Sequence, residues 1–290
     1  MRLHVGTSTE ADARVAVAGA ARVALATCTS PALALVFATT GYDAEEVAEA
    51  ASRALGRVPW AGIITPAVLA GRDVLRRGVG VGVIDSDRVR VRIGAAGPMS
   101  GDPRGAGRRA AREALTDMPL PPGDRSRSLI LFSDTERCDA AEVVHGALEV
   151  AGAGIAWCGG GTGVTETGMR STQLAHGRAL HDHVVAVTLD CPSRVGAGIQ
   201  HGCQPTGPPA MVTRADGCIL ERLEHRPAFE IYRAVAEQRG QHVDAERFAQ
   251  FAMMHPLGIP QAAGEYLIRD PVGVLPNGAL QFTASVPDGA

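Results

Sequence analysis

The sequence contains no lysine, so every fixed basic side chain is an arginine. That absence excludes a Schiff-base lysine, a pyridoxal-phosphate anchor and the lysine of a phosphate-binding loop. Aromatic residues are scarce, at 4%, and Ala, Val and Gly dominate the apolar fraction of 46%. Small side chains pack closely, which suits parallel or mixed sheets with helices laid against them. An excess of one charge is also lacking. The formal net charge is −3, and no basic stripe interleaves with aromatics, which argues against a nucleic-acid partner. The longest uncharged run, Val23 to Tyr42, contains Pro31 and several Thr and Ser residues, too polar and broken for membrane insertion. Glu10 and Asp12 interrupt the amino-terminal segment, so no secretory leader is expected. The cysteines at 28, 138, 158, 191, 203 and 218 form no Cys-x-x-Cys pair and fit no zinc-ribbon spacing. A soluble cytoplasmic protein with free thiols and no metal site is the expectation.

The 290 residues suffice for one large domain or two smaller ones. Thr7-Ser8-Thr9-Glu10 reads as a helix cap before an Ala/Val-rich stretch reaching Ala26. Ala32 to Phe37 is a continuous apolar run between Pro31 and Gly41, read as a buried strand, and Asp43 caps a helix through Leu55. Strands are expected at Pro59 to Ile64 and at Val79 to Ile84, with Val89, Val91 and Ile93 alternating with Arg in another. Gly97 to Gly107 reads as a loop, followed by a helix through Arg108-Arg109 to Leu115.

The same order then recurs. Leu35-Val36-Phe37 matches Ile130-Leu131-Phe132, and Asp43 to Val47 matches Asp139 to Val143. Trp60-Ala61-Gly62 matches Trp157-Cys158-Gly159, which places the two tryptophans at equivalent positions, and Val79 to Asp85 matches Val184 to Asp190. The fold class expected is α/β, with mixed sheets, flanking helices and internally duplicated strand–helix–strand–strand units. Gly202 to Pro209 holds two glycines and three prolines and marks a boundary, giving a duplicated domain over 1–209 and a partial second domain over 210–290. In the latter, Met211 to Thr213 and Glu265 to Arg269 read as strands, Pro227 opens a helix, and Asn277-Gly278 reads as a hairpin turn into Leu280 to Phe282.

His201 to Pro209, Val212 to Gly217 and Arg226 to Tyr232 together resemble the junction of the FIST N and FIST C domains. Pro256 to Pro260, Gly264 to Tyr266 and Arg269 to Pro271 are similar to the same family. The resemblance implies a sensory domain of bacterial and archaeal signalling that binds a small ligand, such as an amino acid, and it leaves haem as a possible cofactor in a nitric-oxide sensor. Two departures stand out: Gly62 is followed by Ile63-Ile64-Thr65-Pro66 rather than a Gly-Cys-Ser-like turn, and the FIST C part is expected to be incomplete. No kinase, cyclase or receiver segment is read in the chain, so the output implied is through a separate signalling partner such as a histidine kinase or cyclase.

The candidate ligand-binding residues are Trp157, Cys158, Gly159, Gly160, Gly161, His201, Cys203 and Arg214. Gly159 to Gly163 reads as a glycine-rich turn after a strand ending at Cys158, where bare peptide N–H groups would hold a carboxylate; a tight turn with no ligand is the plainer account. His201 and Cys203 read as the end of another strand, and His201 is the first candidate for an axial haem ligand. A thiol-dependent hydrolase or transferase built on Cys158, Cys203 and His201 is the alternative from another class, although no orienting acid or catalytic residue is identifiable. His176, His181 and His183 form the densest histidine cluster, and Arg170, Arg194, Arg214 and Arg269 are candidates for gripping an acidic ligand.

Overall fold

The computed structural model describes residues 1–119, 126–134, 139–162, 172–262 and 264–290, which fall into two compact units, 1–198 and 199–290. The first unit begins with β1 (Arg2–Ser8), α1 (Ala13–Leu25), β2 (Pro31–Thr39), α2 (Ala44–Leu55) and β3 (Trp60–Thr65). A hairpin of β4 (Val68–Ala70) and β5 (Asp73–Leu75) leads to β6 (Val79–Asp85). There follow β7 (Arg90–Ala96), α3 (Pro103–Ala114), β8 (Ser126–Ser133), α4 (Ala140–Ala151) and β9 (Ala156–Gly161). The hairpin of β10 (Gln173–Ala175) and β11 (Arg178–Leu180) then leads to β12 (Val184–Cys191).

Two sheets result, with the same strand order in their shared part: β1-β6-β2-β3 in one and β7-β12-β8-β9 in the other. In each, only the last two strands are parallel, joined by a helix as a parallel pair requires. β10 and β11 extend the first sheet, where β10 pairs with β3. The sheets pack face to face through Leu33, Phe37, Ile63, Phe132, Val185, Val187 and Leu189, with Phe37 and Phe132 meeting edge-on at 6.0 Å. Alternate residues of the same strands face outward to the helices. Ala34, Val36 and Ala38 meet the layer of α1 and α2, while Leu129, Leu131 and Ala186 meet that of α3 and α4. Strands covered on both faces read as continuous apolar runs, which is how β2, β8 and β12 announce themselves in the sequence.

Local chemistry sets the helix ends. Asp43 accepts from the Glu46 N–H at the start of α2, and Asp139 accepts from Ala141 N–H at the start of α4. The cap signal at Thr7–Glu10 is misleading: residues 2–8 form β1, and Asp12 caps α1 by accepting from Arg14 and Val15. β1 lies at a sheet edge with Leu3 and Val5 exposed, so it carries no buried apolar run to betray it. The Gly97–Gly107 segment is likewise partly helical, because Pro103 opens α3 and Asp102 accepts from Gly105 N–H. Glycine in α3 and α4 serves close approach. A Cβ on Gly107 would lie 2.1 Å from the Val143 carbonyl oxygen, and one on Gly146 would lie 1.9 Å from that of Arg104.

The second unit is built separately from β13 (Val212–Asp216), β14 (Ile219–Leu223), β15 (Arg226–Pro227), α5 (Ala228–Glu237) and α6 (Phe248–Ala252). It finishes with β16 (Leu257–Pro260), β17 (Tyr266–Arg269), β18 (Pro271–Val274) and β19 (Leu280–Phe282). The β13-β14-β19-β18 sheet packs on the two helices around Phe248, Tyr232, Leu220 and Leu280. The Asn277-Gly278 turn joins β18 to β19 with Gly278 at a φ of 78°. No helix among the described residues is long and apolar enough to cross a membrane.

A fully buried ion pair ties β8 to β12. The Arg127 guanidinium grips both oxygens of Asp190 at 2.7 and 2.8 Å and donates to the Pro119 carbonyl. Arg127→Leu strands the Asp190 carboxylate without its cation and is expected to cost about 3–5 kcal/mol in urea unfolding. Gly146→Ala is expected to lose about 1–3 kcal/mol through the helix–helix clash, measured in the same way.

Candidate functional site

β9 runs parallel to β8, pairing Leu129 with Trp157, Ile130 with Cys158, Leu131 with Gly159, Phe132 with Gly160 and Ser133 with Gly161. The expected glycine turn is therefore corrected. Gly159 to Gly161 belong to the strand, because the ladder with β8 continues to Ser133 and carries β9 past Cys158. Gly159 has a φ of 150°, and a Cβ there would lie 2.0 Å from the Leu131 carbonyl oxygen, so this position demands glycine. Gly62 in β3 is held the same way: a Cβ there would lie 1.9 Å from the Val36 carbonyl oxygen. A Cβ on Gly160, by contrast, meets nothing within 4 Å. Gly163 lies outside the described residues.

The two parallel pairs differ at their free edge. Antiparallel β10 covers β3 from Ala61 to Ile63, and residues 60–64 are buried. On the far side of β9 no strand pairs among the described residues, and Cys158, Gly159, Gly160 and Gly161 are exposed. Successive residues of a parallel strand direct their peptide groups to opposite sides, so this edge presents N–H and C=O groups outward with almost no side chain to shield them. The Trp157 ring packs toward the α3–α4 layer, and its Nε1–H is buried without a hydrogen-bond partner among the described residues.

At the carboxyl ends of this parallel pair the chain turns polar. β8 ends at Ser133 and is followed by Asp134, β9 ends at Gly161 and is followed by Thr162, and Ser133, Asp134 and Thr162 are all buried. The carboxyl ends of parallel strands are the usual place for a ligand in α/β proteins. The sequence reading did not single out these three residues. The signal that would have found them is the switch from apolar to polar side chains at the same register in both strands.

Cys158 is exposed as a residue, yet partial desolvation of its thiol pushes the pKa above the ordinary thiol value. A thiol so placed is mostly protonated at neutral pH, the opposite of an activated nucleophile.

His201, Cys203 and Arg214 belong to the second unit. The strand expected to end at His201 is absent: residues 192–211 carry no strand, since glycines 196, 198, 202 and 207 and prolines 205, 208 and 209 break any ladder. The His201 ring donates from Nε2 to the Tyr266 carbonyl at 3.1 Å, while Nδ1 is buried with no partner among the described residues. With one nitrogen bonded and the other enclosed, His201 does not fit the role of an axial haem ligand. Cys203 is exposed. Arg214 forms an exposed cross-strand pair with Glu221 at 2.7 Å. Arg269 donates to the carbonyls of Ser285 and Ile268, an internal stitch.

The histidines at 176, 181 and 183 do not converge. His176 sits 3.7 Å from Glu113, the His181 ring meets Thr172 Oγ1, and His183 Nδ1 donates to the His181 carbonyl. The strand begins only at Val184, so the two later histidines share no strand face. Arg194 follows β12 in the strandless segment, and Arg170 lies outside the described residues.

A family model described as the FIST N domain matches residues 32–226, and one described as the FIST C domain matches residues 228–290. The chain belongs to the FIST family. FIST domains are sensory domains of signalling proteins that bind small ligands. No curated protein matches this sequence. Among solved structures, the crystal structure of a cyanuric acid hydrolase from A. caulinodans is similar at a TM-score of 0.33 and 13% identity, covering 67% of this chain and 72% of that one.

The desolvated thiol gives a direct expectation. Carboxymethylation of Cys158 at neutral pH, followed by peptide mass spectrometry, runs slower than that of a free-cysteine peptide and rises about tenfold per pH unit. A rate that exceeds the peptide's would show an activated thiolate instead.

Proposed function

We propose that this FIST protein senses a small polar metabolite carrying a carboxylate, with amino acids as the first class to examine, at the open edge and carboxyl end of β9. The observation that carries this reading is the run Cys158 to Gly161, exposed on a strand edge with no paired strand among the described residues. Bare peptide N–H groups there would receive the carboxylate. Ser133, Asp134 and Thr162 would contribute polar contacts at the strand ends, and the Trp157 indole would form one wall. A hydrogen bond to a charged group is worth about 1.5–3 kcal/mol, so two or three suffice for binding in the millimolar to micromolar range.

His201, Cys203 and Arg214 are not needed for this site, since His201 and Arg214 already have partners within the second unit. The shared strand order of the two sheets, with glycines 62 and 159 held against equivalent carbonyls, supports the reading of the amino-terminal domain as a tandem repeat within residues 1–209. Residues 210–290 then form a FIST C-like domain. A sensor signals by shifting a balance between two conformations, which requires unequal ligand affinity in the two. The output passes to a separate signalling protein.

A thermal-shift screen against the standard amino acids tests the reading, because a ligand that binds only the native state raises its stability. Gly160→Val is the decisive variant: space is open at that position, so the fold persists, while the added side chain covers the peptide groups on either side. The expected result is a melting shift in the wild type that falls at least tenfold in ligand affinity in Gly160→Val. An unchanged affinity in the variant would remove the site from β9. Addition of haem in the same series is expected to give no specific Soret band.

A further inference from the structure

A cluster of three different metal-ligating side chains lies at the opposite end of the first sheet, away from β9. Asp85 ends β6, His4 lies on the neighbouring β1, and Cys28 follows α1 in the loop into β2. One ligand atom from each lies within 4.8 Å of the other two, in a half-buried to buried setting. A tetrahedral centre with these ligand types needs separations of about 3.3–3.7 Å. Closing the gap asks for side-chain rotation of about 1 Å, and no movement of the sheet.

The supporting contacts are already in place. Asp85 Oδ1 accepts from the backbone N–H of Ser30 at 2.6 Å and of Thr29 at 3.1 Å, which pins the carboxylate. Its Oδ2 accepts from the Thr29 hydroxyl at 3.5 Å and faces His4 Nε2 at 3.6 Å. The other ring nitrogen, His4 Nδ1, is hydrogen-bonded to Thr27 Oγ1 at 3.0 Å. A histidine held through one ring nitrogen by a hydrogen bond, which leaves the other for a cation, is the arrangement found around metal ligands. His4 Nε2 is buried and has no hydrogen-bond partner among the described residues. A doubly protonated ring would face Asp85 as an ion pair at 3.6 Å; in a neutral ring with the proton on Nδ1, Nε2 and Asp85 Oδ2 are two acceptors facing each other, a gap that a cation fills. If Nε2 carries the proton, 3.6 Å is too long for a hydrogen bond.

The second sheet shows what this position requires. Asp190, at the matching end of β12, pairs across the ladder with Arg127 of β8 and is neutralised by its guanidinium. Asp85 occupies the corresponding place between β1 and β2, but its partner on β2 is Pro31, which carries no charge. Its partner on β1 is Arg2, whose side chain is exposed and borders, with Asp85, an open depression of about 360 Å³.

We propose that His4, Cys28 and Asp85 bind a divalent transition-metal ion of the zinc type, with a fourth position open to solvent or to a small donor. The mixed N, S and O set decides the class. A thiolate disfavours magnesium and calcium, and a carboxylate disfavours copper(I), while zinc accepts all three. The cation supplies at Asp85 the charge that Arg127 supplies at Asp190. On binding, the Cys28 thiol gives up its proton to solvent, together with its hydrogen bond to the Ala24 carbonyl, and the sulfur takes the metal instead.

The test is cobalt(II) titration of the untagged, chelator-treated full chain, read by absorption. The expected result is about one equivalent bound, a sulfur-to-cobalt charge-transfer band in the near ultraviolet, and displacement by zinc. Cys28→Ser preserves the hydrogen bond to Ala24, so it is expected to fold with an unchanged far-ultraviolet circular dichroism spectrum and to lose the band. His4→Gln is expected to weaken cobalt binding at least tenfold, and Cys158→Ser to leave it unchanged. Absence of the band in the wild type, or a band that persists in Cys28→Ser, would overturn the proposal and leave a plain structural His–Asp contact.

Discussion

The face-to-face seating of two sheets is the constraint on which the rest of the first unit depends. Leu33, Phe37 and Ile63 from one sheet interlock with Phe132, Val185 and Val187 from the other. With the inner faces consumed, helices are confined to the outer faces, and every central strand must be apolar on both sides. Small residues make this possible. Helix backbones come close enough to one another and to the strands that glycine is required at their contacts, as Gly6 against Ala20, Gly94 against Ala110 and Gly107 against Val143 illustrate. The helix alanines and the glycines at these contacts are thus a packing requirement.

Once both faces are covered, function is left with strand edges and strand ends. The two sheets treat these differently despite their shared order. β10 closes the edge of β3, whereas the edge at Cys158 to Gly161 stays exposed. At the other end, Asp190 has an arginine and Asp85 has a histidine and a cysteine. Each departure from equivalence gives one sheet a polar feature that its counterpart lacks, and those are the places where a ligand or ion has something to gain. In the second unit the polar groups of the family-like motif are engaged by its own backbone, as His201 with Tyr266 and Arg269 with Ser285 show.

The sequence made the central strands and α2 legible because burial on two faces and an aspartate cap leave unambiguous marks at Ala32–Phe37 and Asp43. β1 was illegible: an edge strand with Leu3 and Val5 outward and Gly6 inward has no apolar run to detect. The glycines of β9 read locally as a turn because glycine ordinarily signals one. Here they answer to the Leu131 carbonyl, a contact between residues far apart in the chain. The same reason hid the cluster at His4, Cys28 and Asp85, whose members lie on β1, a loop and β6 and meet only through antiparallel pairing. Ser133, Asp134 and Thr162 required the β8–β9 register before they formed a group.

Amide hydrogen exchange over residues 156–162, with and without an equimolar mixture of the standard amino acids, tests the central functional claim most directly. A strand edge with outward peptide groups exchanges quickly when bare and slows when a solute receives its N–H groups. The account predicts selective slowing across Cys158 to Gly161, with the equivalent residues 61–64 of the covered strand slow in both conditions. Stabilisation of the protein by the mixture with no slowing in this segment would contradict it.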